Sequence, residues 1–276
     1  MANPILSQPG MFTPAGYGYP NYQQPGQGGY ASTAYAPQGY GYGQQQPFAQ
    51  TRPATMTLDD VMNKAAIMLG LLMVSAGVAY VFVPAALLYP AALICGIVTI
   101  AFPFLVASRR HAAPGLCVAY AVIEGVFIGG ISKIFQMYYP GIIVQAALGT
   151  FVAAAGVMIA FRSGGFRATT RMSQIVRIGL IGFAGVALLN LVLYLFGINL
   201  GLFPGVTGQV SLLAWVFALI GVGLAVYSLL DDFTYIERGI ATGAPAQQSW
   251  IAAYGLVVTM VFLYTQLLRI ISYFRR

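Results

Sequence analysis

The stretch Ala112–Phe135, AAPGLCVAYAVIEGVFIGGISKIF, decides how the rest of the chain is read. It is long and apolar enough to cross a bilayer, which takes about 20 residues of helix. Yet Glu124 stands at its centre. A carboxylate at that depth costs roughly 2.5–3.5 kcal/mol or more unless it is paired, hydrated or protonated. A second acidic group, Asp231–Asp232, closes the apolar run that begins at Val210. The chain holds only six acidic residues in 276, so three of them border on or enter hydrocarbon. Ionisable groups placed in this way point to an ion or proton pathway inside a polytopic membrane protein.

The composition agrees. The chain is 59% hydrophobic and 7% charged, with a mean hydropathy of +0.78, whereas soluble domains carry about 25% charged residues. A soluble globular fold is thereby excluded. The net charge of +7 comes from thirteen basic residues that fall mostly in short connections between apolar runs. That pattern reports membrane orientation rather than nucleic-acid binding. Cys95 and Cys117 lie within apolar segments, without CxxC spacing or a partner histidine. They read as small packing residues rather than a disulfide or zinc framework. His111, the only histidine, sits beside Arg109 and Arg110 in a connection and reads as a solvated juxtamembrane residue. The first twenty residues carry no basic segment followed by an apolar one, so no cleavable leader is expected there.

Residues 1–56 differ sharply from the remainder. Gly16–Gln50 is built from Gly, Tyr, Gln and Pro, with Tyr17, Tyr19, Tyr22, Tyr30, Tyr35, Tyr40 and Tyr42 spaced along it. With almost no aliphatic residues, it cannot offset the entropy of ordering its backbone. It is expected to be a disordered tail, either an adhesive low-complexity segment or an inert leader. Order begins at Thr57-Leu58-Asp59-Asp60, where Thr57 can cap a helix and Asp60 can reach back to the cap amide. Both aspartates also suit a helix N-terminus, so neither is an ion-site candidate.

Seven apolar runs follow, near 65–83, 85–107, 112–135, 141–161, 176–199, 210–230 and 250–271. Residues 57–276 are therefore expected to form an all-α membrane domain, a seven-transmembrane-helix bundle. The N-terminal side would hold Arg52, Lys64, Arg109, Arg110, Arg162, Arg167, Arg171, Arg177 and Arg238. The other side would hold Lys133, Arg269, Arg275 and Arg276. The excess of positive charge puts the N-terminus in the cytoplasm and the C-terminus opposite. A re-entrant seventh run would return the C-terminus to the cytoplasm. Small residues at Gly125 and Gly129, at Gly179, Gly182 and Gly185, and at Gly221 and Ala225 suggest that runs three, five and six form the packed centre.

Candidate pathway residues follow from polarity at depth. Glu124 either takes part in conduction or is a protonated acid bonded to a neighbour such as Asn190 of the fifth run. Asp231 and Asp232 point about 100° apart on a helix, so one is expected to face the interior and the other the cytoplasmic headgroups. Arg269 can snorkel or pair with an interior carboxylate. Gln266 and Thr259 precede it by three and ten residues, on roughly one face. Enzymatic readings fail: HExxH, Walker and GxSxG patterns are missing. Lys64 and Lys133 are the only lysines, so a late-helix Schiff base is ruled out. No cofactor is expected beyond Ca²⁺ or H⁺ as permeant or regulatory ions.

Two segments carry a family resemblance. Val226–Glu237, VYSLLDDFTYIE, and Ala119–Gly125, AYAVIEG, together with Leu267-Leu268-Arg269, resemble the transmembrane Bax inhibitor motif family, in its bacterial branch, over about residues 57–276. The spacing of an aspartate four residues before an isoleucine maps the family's sixth-helix aspartate onto Asp232. The resemblance implies a central helix wrapped by the others, and a Ca²⁺ leak gated by protonation of an aspartate pair. The second aspartate of that pair is replaced by Thr259, counting back from Arg269, and the family's second-helix acid by the Cys95–Gly96 region. These departures leave Asp231 and Glu124 as substitutes. The expected function is a pH-sensitive cation leak, with Ca²⁺ as the ion, through the bacterial inner membrane. Asp232 would be its weak Ca²⁺ or proton site. The competing expectation is a non-conducting regulator that binds other membrane proteins, such as a membrane-bound protease, through its tail.

Overall fold

A computed structural model gives the fold, and it describes residues 55–84, 87, 90, 94–98, 102, 105–106, 114–164, 168–198, 200–202 and 209–276. The tail, most of the second apolar run, Arg52, Arg109, Arg110, His111 and Arg167 lie outside the described residues. Among the described residues the architecture is all-helical, and six helices are long and apolar enough to cross a membrane. These six are α1 (Leu58–Phe82), α2 (Pro114–Tyr138), α3 (Ile142–Arg162), α4 (Thr170–Leu195), α5 (Leu212–Ala241) and α6 (Gln248–Phe274). They correspond to the first and the third to seventh apolar runs. The described part of the second run includes a helical turn at 94–98. Helices are forced here because lipid offers no partner for a free backbone amide or carbonyl.

The start of α1 follows the capping chemistry only in part. Thr57 Oγ1 accepts the Asp60 amide at 3.2 Å. Asp60 does not reach back to the cap; its carboxylate takes Lys64 Nζ at 2.7 Å, one turn on. The ammonium is the stronger partner for a carboxylate, which explains the departure.

The packed centre also differs from the sequence expectation. In α6, 61% of the most apolar stretch is buried, and in α2 50%, against 17% in α4. The fifth run is peripheral. Its glycine stripe does not mark an interface, because Gly182 and Gly185 have no neighbour within contact and only Gly179 meets a side chain, that of Leu224. The glycines of α2 do serve close approach. A Cβ on Gly125 would collide with Ser75 Oγ and the Leu72 carbonyl, and one on Gly129 with the Ala76 carbonyl. Thus α1 and α2 touch backbone to backbone, the geometry that small residues permit in lipid.

The last helix runs unbroken from one end of the bundle to the other, about 40 Å at 1.5 Å per residue. Near its start, Met56 N donates to Ala244 O at 2.7 Å and Lys64 Nζ to Ala246 O at 3.2 Å, fastening the head of α1 to the α5–α6 turn. Past its end, Arg275 donates to Pro140 O at 2.7 Å and Gln145 Oε1 at 2.8 Å, beside the α2–α3 turn. The seventh run is therefore not re-entrant, and the described chain begins and ends at opposite ends of the bundle.

The α1–α2 contact sets a test. Gly129→Leu is expected to destabilise the bundle by about 1–3 kcal/mol or more, as overpacking does. Gly70→Leu, where a Cβ meets nothing within 4 Å, should leave the melting temperature in detergent unchanged. Equal melting temperatures for the two variants would remove the close approach from the account.

Candidate functional site

The acidic pair does not end its helix. α5 continues for nine residues past Asp232 to Ala241, about 14 Å of helix at 1.5 Å per residue. The two aspartates, both half-buried, meet different neighbouring helices. Asp231 Oδ1 accepts Ser173 Oγ of α4 at 2.7 Å. Arg177, one turn along α4, donates its Nε to the Ser173 carbonyl at 3.0 Å. The next residue, rotated by about 100°, meets α6 instead. Asp232 rests on Gly255, where a Cβ would lie 3.5 Å from its Oδ1. The Thr259 side chain, one turn further, faces the same carboxyl. Asp232 Oδ2 is buried and has no hydrogen-bond partner among the described residues.

Polar side chains continue along the α5–α6 interface. Gln266, only 2% exposed, occupies the space left open by Gly221, where a Cβ would come within 2.6 Å of Gln266 Oε1. Arg269 Nη1 donates to that oxygen at 3.3 Å. Thr259, Gln266 and Arg269 are thus one file on the face of α6 turned to α5, with Asp232 opposite its first member. Arg269 gives this bond to an amide, not to an acid. Between Thr259 and Gln266 lie about 10 Å of helix rise.

Glu124 belongs elsewhere. It is buried, 3% exposed, beside Tyr120 of its own helix, Cys95 and Tyr254 of α6. Tyr120 and Tyr254 meet edge to face at 4.8 Å between centroids. Tyr254 and Gly255 are consecutive, so they point to different sides of α6. The surroundings of Glu124 and of Asp232 thus meet α6 about 100° apart around its axis. Asn190 is not the neighbour of Glu124, because α2 and α4 do not pack on each other. Asn190 Oδ1 is buried without a partner among the described residues. Neither Cys95 nor Cys117 is in a disulfide, and Cys117 Sγ donates to the Trp250 carbonyl at 3.7 Å.

Ser173, Gly255 and Tyr254 had no distinguishing sequence signal. Ser173 lies just ahead of the fifth apolar run, and the other two are ordinary members of the seventh. Only the helix pairing reveals them. Among the described residues there is no group of three or more His, Cys, Asp or Glu side chains able to hold a metal ion. Ca²⁺ takes six to eight oxygen ligands, so Asp232 with a threonine offers at most a weak, transient contact.

A polytopic helical bundle with a buried acidic group between its last two helices defines the class. Within it, residues 16–276 match the model of the family described as Bax inhibitor 1 like. The chain belongs to that family. A comparison with curated proteins gives no match.

The bond between Ser173 and Asp231 is the polar tie between α4 and α5 at this level. Ser173→Ala is expected to cost about 0.6–2 kcal/mol, the range for interhelical hydrogen bonds in membranes, and to speed amide exchange selectively in residues 170–180. Uniform exchange across the bundle would show that the tie does not hold α4.

Proposed function

We propose that this protein is a non-enzymatic cation leak channel of the bacterial cytoplasmic membrane, with Ca²⁺ as the permeant ion, and that the α5–α6 interface carries the ion. The reading rests above all on the buried Asp232 carboxyl facing Thr259 at the head of the file formed with Gln266 and Arg269. Family membership supports the same assignment. The orientation follows the positive charge: the end carrying Thr57 and the α5–α6 turn is cytoplasmic. Asp232 then meets ions arriving from the cytoplasm.

The mechanism follows from charge. An ionised Asp232 attracts a cation and supplies one or two oxygens in exchange for hydration. Leak demands binding strong enough to admit an ion and weak enough to release it, and a site with few carboxylates meets both needs. A proton on Asp232 removes the attraction and gives the carboxyl a hydrogen that it can donate to the Thr259 hydroxyl. The neutral pair closes the interface. Acidification therefore lowers flux in this reading. Threonine cannot share a proton between two carboxylates, so the pH response belongs to Asp232 alone. Asp231, tied to Ser173, holds α4 against the path. Glu124, in its aromatic pocket, is assigned no place in the file.

Ca²⁺ flux into proteoliposomes as a function of pH provides the test. Wild type should show flux that falls on acidification. Asp232→Asn should lower the neutral-pH flux about tenfold or more, within the ~4 kcal/mol that a unit charge supplies at 4 Å in an effective dielectric of about 20, and should flatten the pH profile. Thr259→Asp, which adds a second carboxyl that can share a proton, should steepen it. Unchanged flux and pH response in Asp232→Asn would refute the assignment. Wild type without flux at any pH would favour the membrane regulator, with the tail as its binding element.

A further inference from the structure

Towards the end of the bundle that carries the α2–α3 turn, a crevice of about 420 Å³ lies between α1, α2, α3 and α6. α1 and α3 flank it without packing on each other, and small residues such as Ala76, Gly77 and Ala147 keep its walls apart. Three of its polar side chains are already engaged. Ser132 Oγ and Tyr264 Oη share a hydrogen bond of 2.8 Å, and Thr150 Oγ1 donates to the Ala146 carbonyl at 2.8 Å. What remains is hydrocarbon surface. A buried water needs two to four polar partners, which hydrocarbon walls do not offer. Walls of this kind suit an apolar occupant better than water. Met73 and Phe151 line the crevice and are also 56% and 49% exposed, so it opens towards the surrounding lipid.

A cation stands beside it. Lys133 Nζ donates to the Val83 carbonyl, at the end of α1, at 2.7 Å and lies 5.8 Å from the centre of the Tyr80 ring, itself part of the crevice wall. An ammonium has three donors, and that bond uses one. No acid is available to it. The six acidic residues of the chain are Asp59, Asp60, Glu124, Asp231, Asp232 and Glu237, all nearer the opposite end of their helices. The charged side chains at this end, Lys133, Arg275 and Arg276, are all basic.

We propose that the crevice binds an anionic bilayer phospholipid, with one acyl chain seated between α1 and α3 and the phosphate on Lys133. The mouth admits the chain sideways from the bilayer, and the charge selects the headgroup. This site is separate from the α5–α6 file and does not depend on ion conduction.

Native mass spectrometry of the full chain, released from nanodiscs of equal phosphatidylglycerol and phosphatidylcholine, tests it. Wild type should retain one phospholipid, with phosphatidylglycerol favoured about fivefold, as one basic residue at an anionic surface gives. Lys133→Ala should retain a lipid but lose the preference. Gly77→Leu, at a position where a Cβ meets nothing within 4 Å, should fill the crevice and release the lipid at an unchanged melting temperature. Ala147→Phe, from the opposite wall, should do the same and serves if the first variant does not fold. A wild type without retained lipid, or equal retention in the crevice-filling variants, would overturn the site. An unchanged headgroup preference in Lys133→Ala would overturn the role of the lysine.

Discussion

Helices in lipid gain little from hiding apolar surface from one another, because the acyl chains are as apolar as leucine. Association then rests on how closely backbones approach and on the few polar groups that need a partner. In this bundle the approach is made at Gly125 and Gly129, where α2 lies against Leu72, Ser75 and Ala76 of α1 with no room for a side chain. Together these helices flank α6, whose small residues Ala252 and Ala253 are buried with Val257 and Leu263. The most enclosed helix is therefore the last in the chain. The outer helices α3 and α4 turn most of their surface to lipid.

Enclosure of α6 gives the two buried carboxyl regions their separate characters. Adjacent residues on a helix diverge by about 100°, and the bundle uses this twice. On α5 it sends Asp231 to Ser173 of α4 and Asp232 to the Gly255–Thr259 face of α6. On α6 it turns Tyr254 towards Glu124 and Gly255 towards Asp232. One acid is thus tied to a peripheral helix, one faces a polar file, and one sits among aromatic rings. The ends of the bundle are unlike as well. Acidic and basic groups mix around Thr57 and the α5–α6 turn, where Lys64 bonds both Asp60 and Ala246, while the far end is cationic.

Much of this architecture was legible in residue order alone. The lengths of the apolar runs fixed the helices, because lipid leaves a spanning backbone no other way to satisfy its hydrogen bonds. Thr57 announced the first helix through local capping, and Glu124 and Asp232 stood out because charge is rare in such a chain. The close approach at Gly125 and Gly129 was also readable. The same small-residue argument failed at Gly182 and Gly185, which face outward. Glycine permits contact without requiring it.

What only the tertiary structure decided was which faces meet. Sequence period gives the direction of a side chain about its own helix axis, but not the rotation or neighbours of that helix. The tie from Ser173 to Asp231, the place of Thr259 opposite Asp232, and the aromatic surroundings of Glu124 depend on those rotations. So does the continuation of α5 to Ala241, where packing carries a helix past its charged residues. The sequence by itself determined a helical membrane protein with acids at depth. Packing determined which of those acids share an interface, because contacts between helices far apart in the chain are set by the whole bundle and not by any one segment.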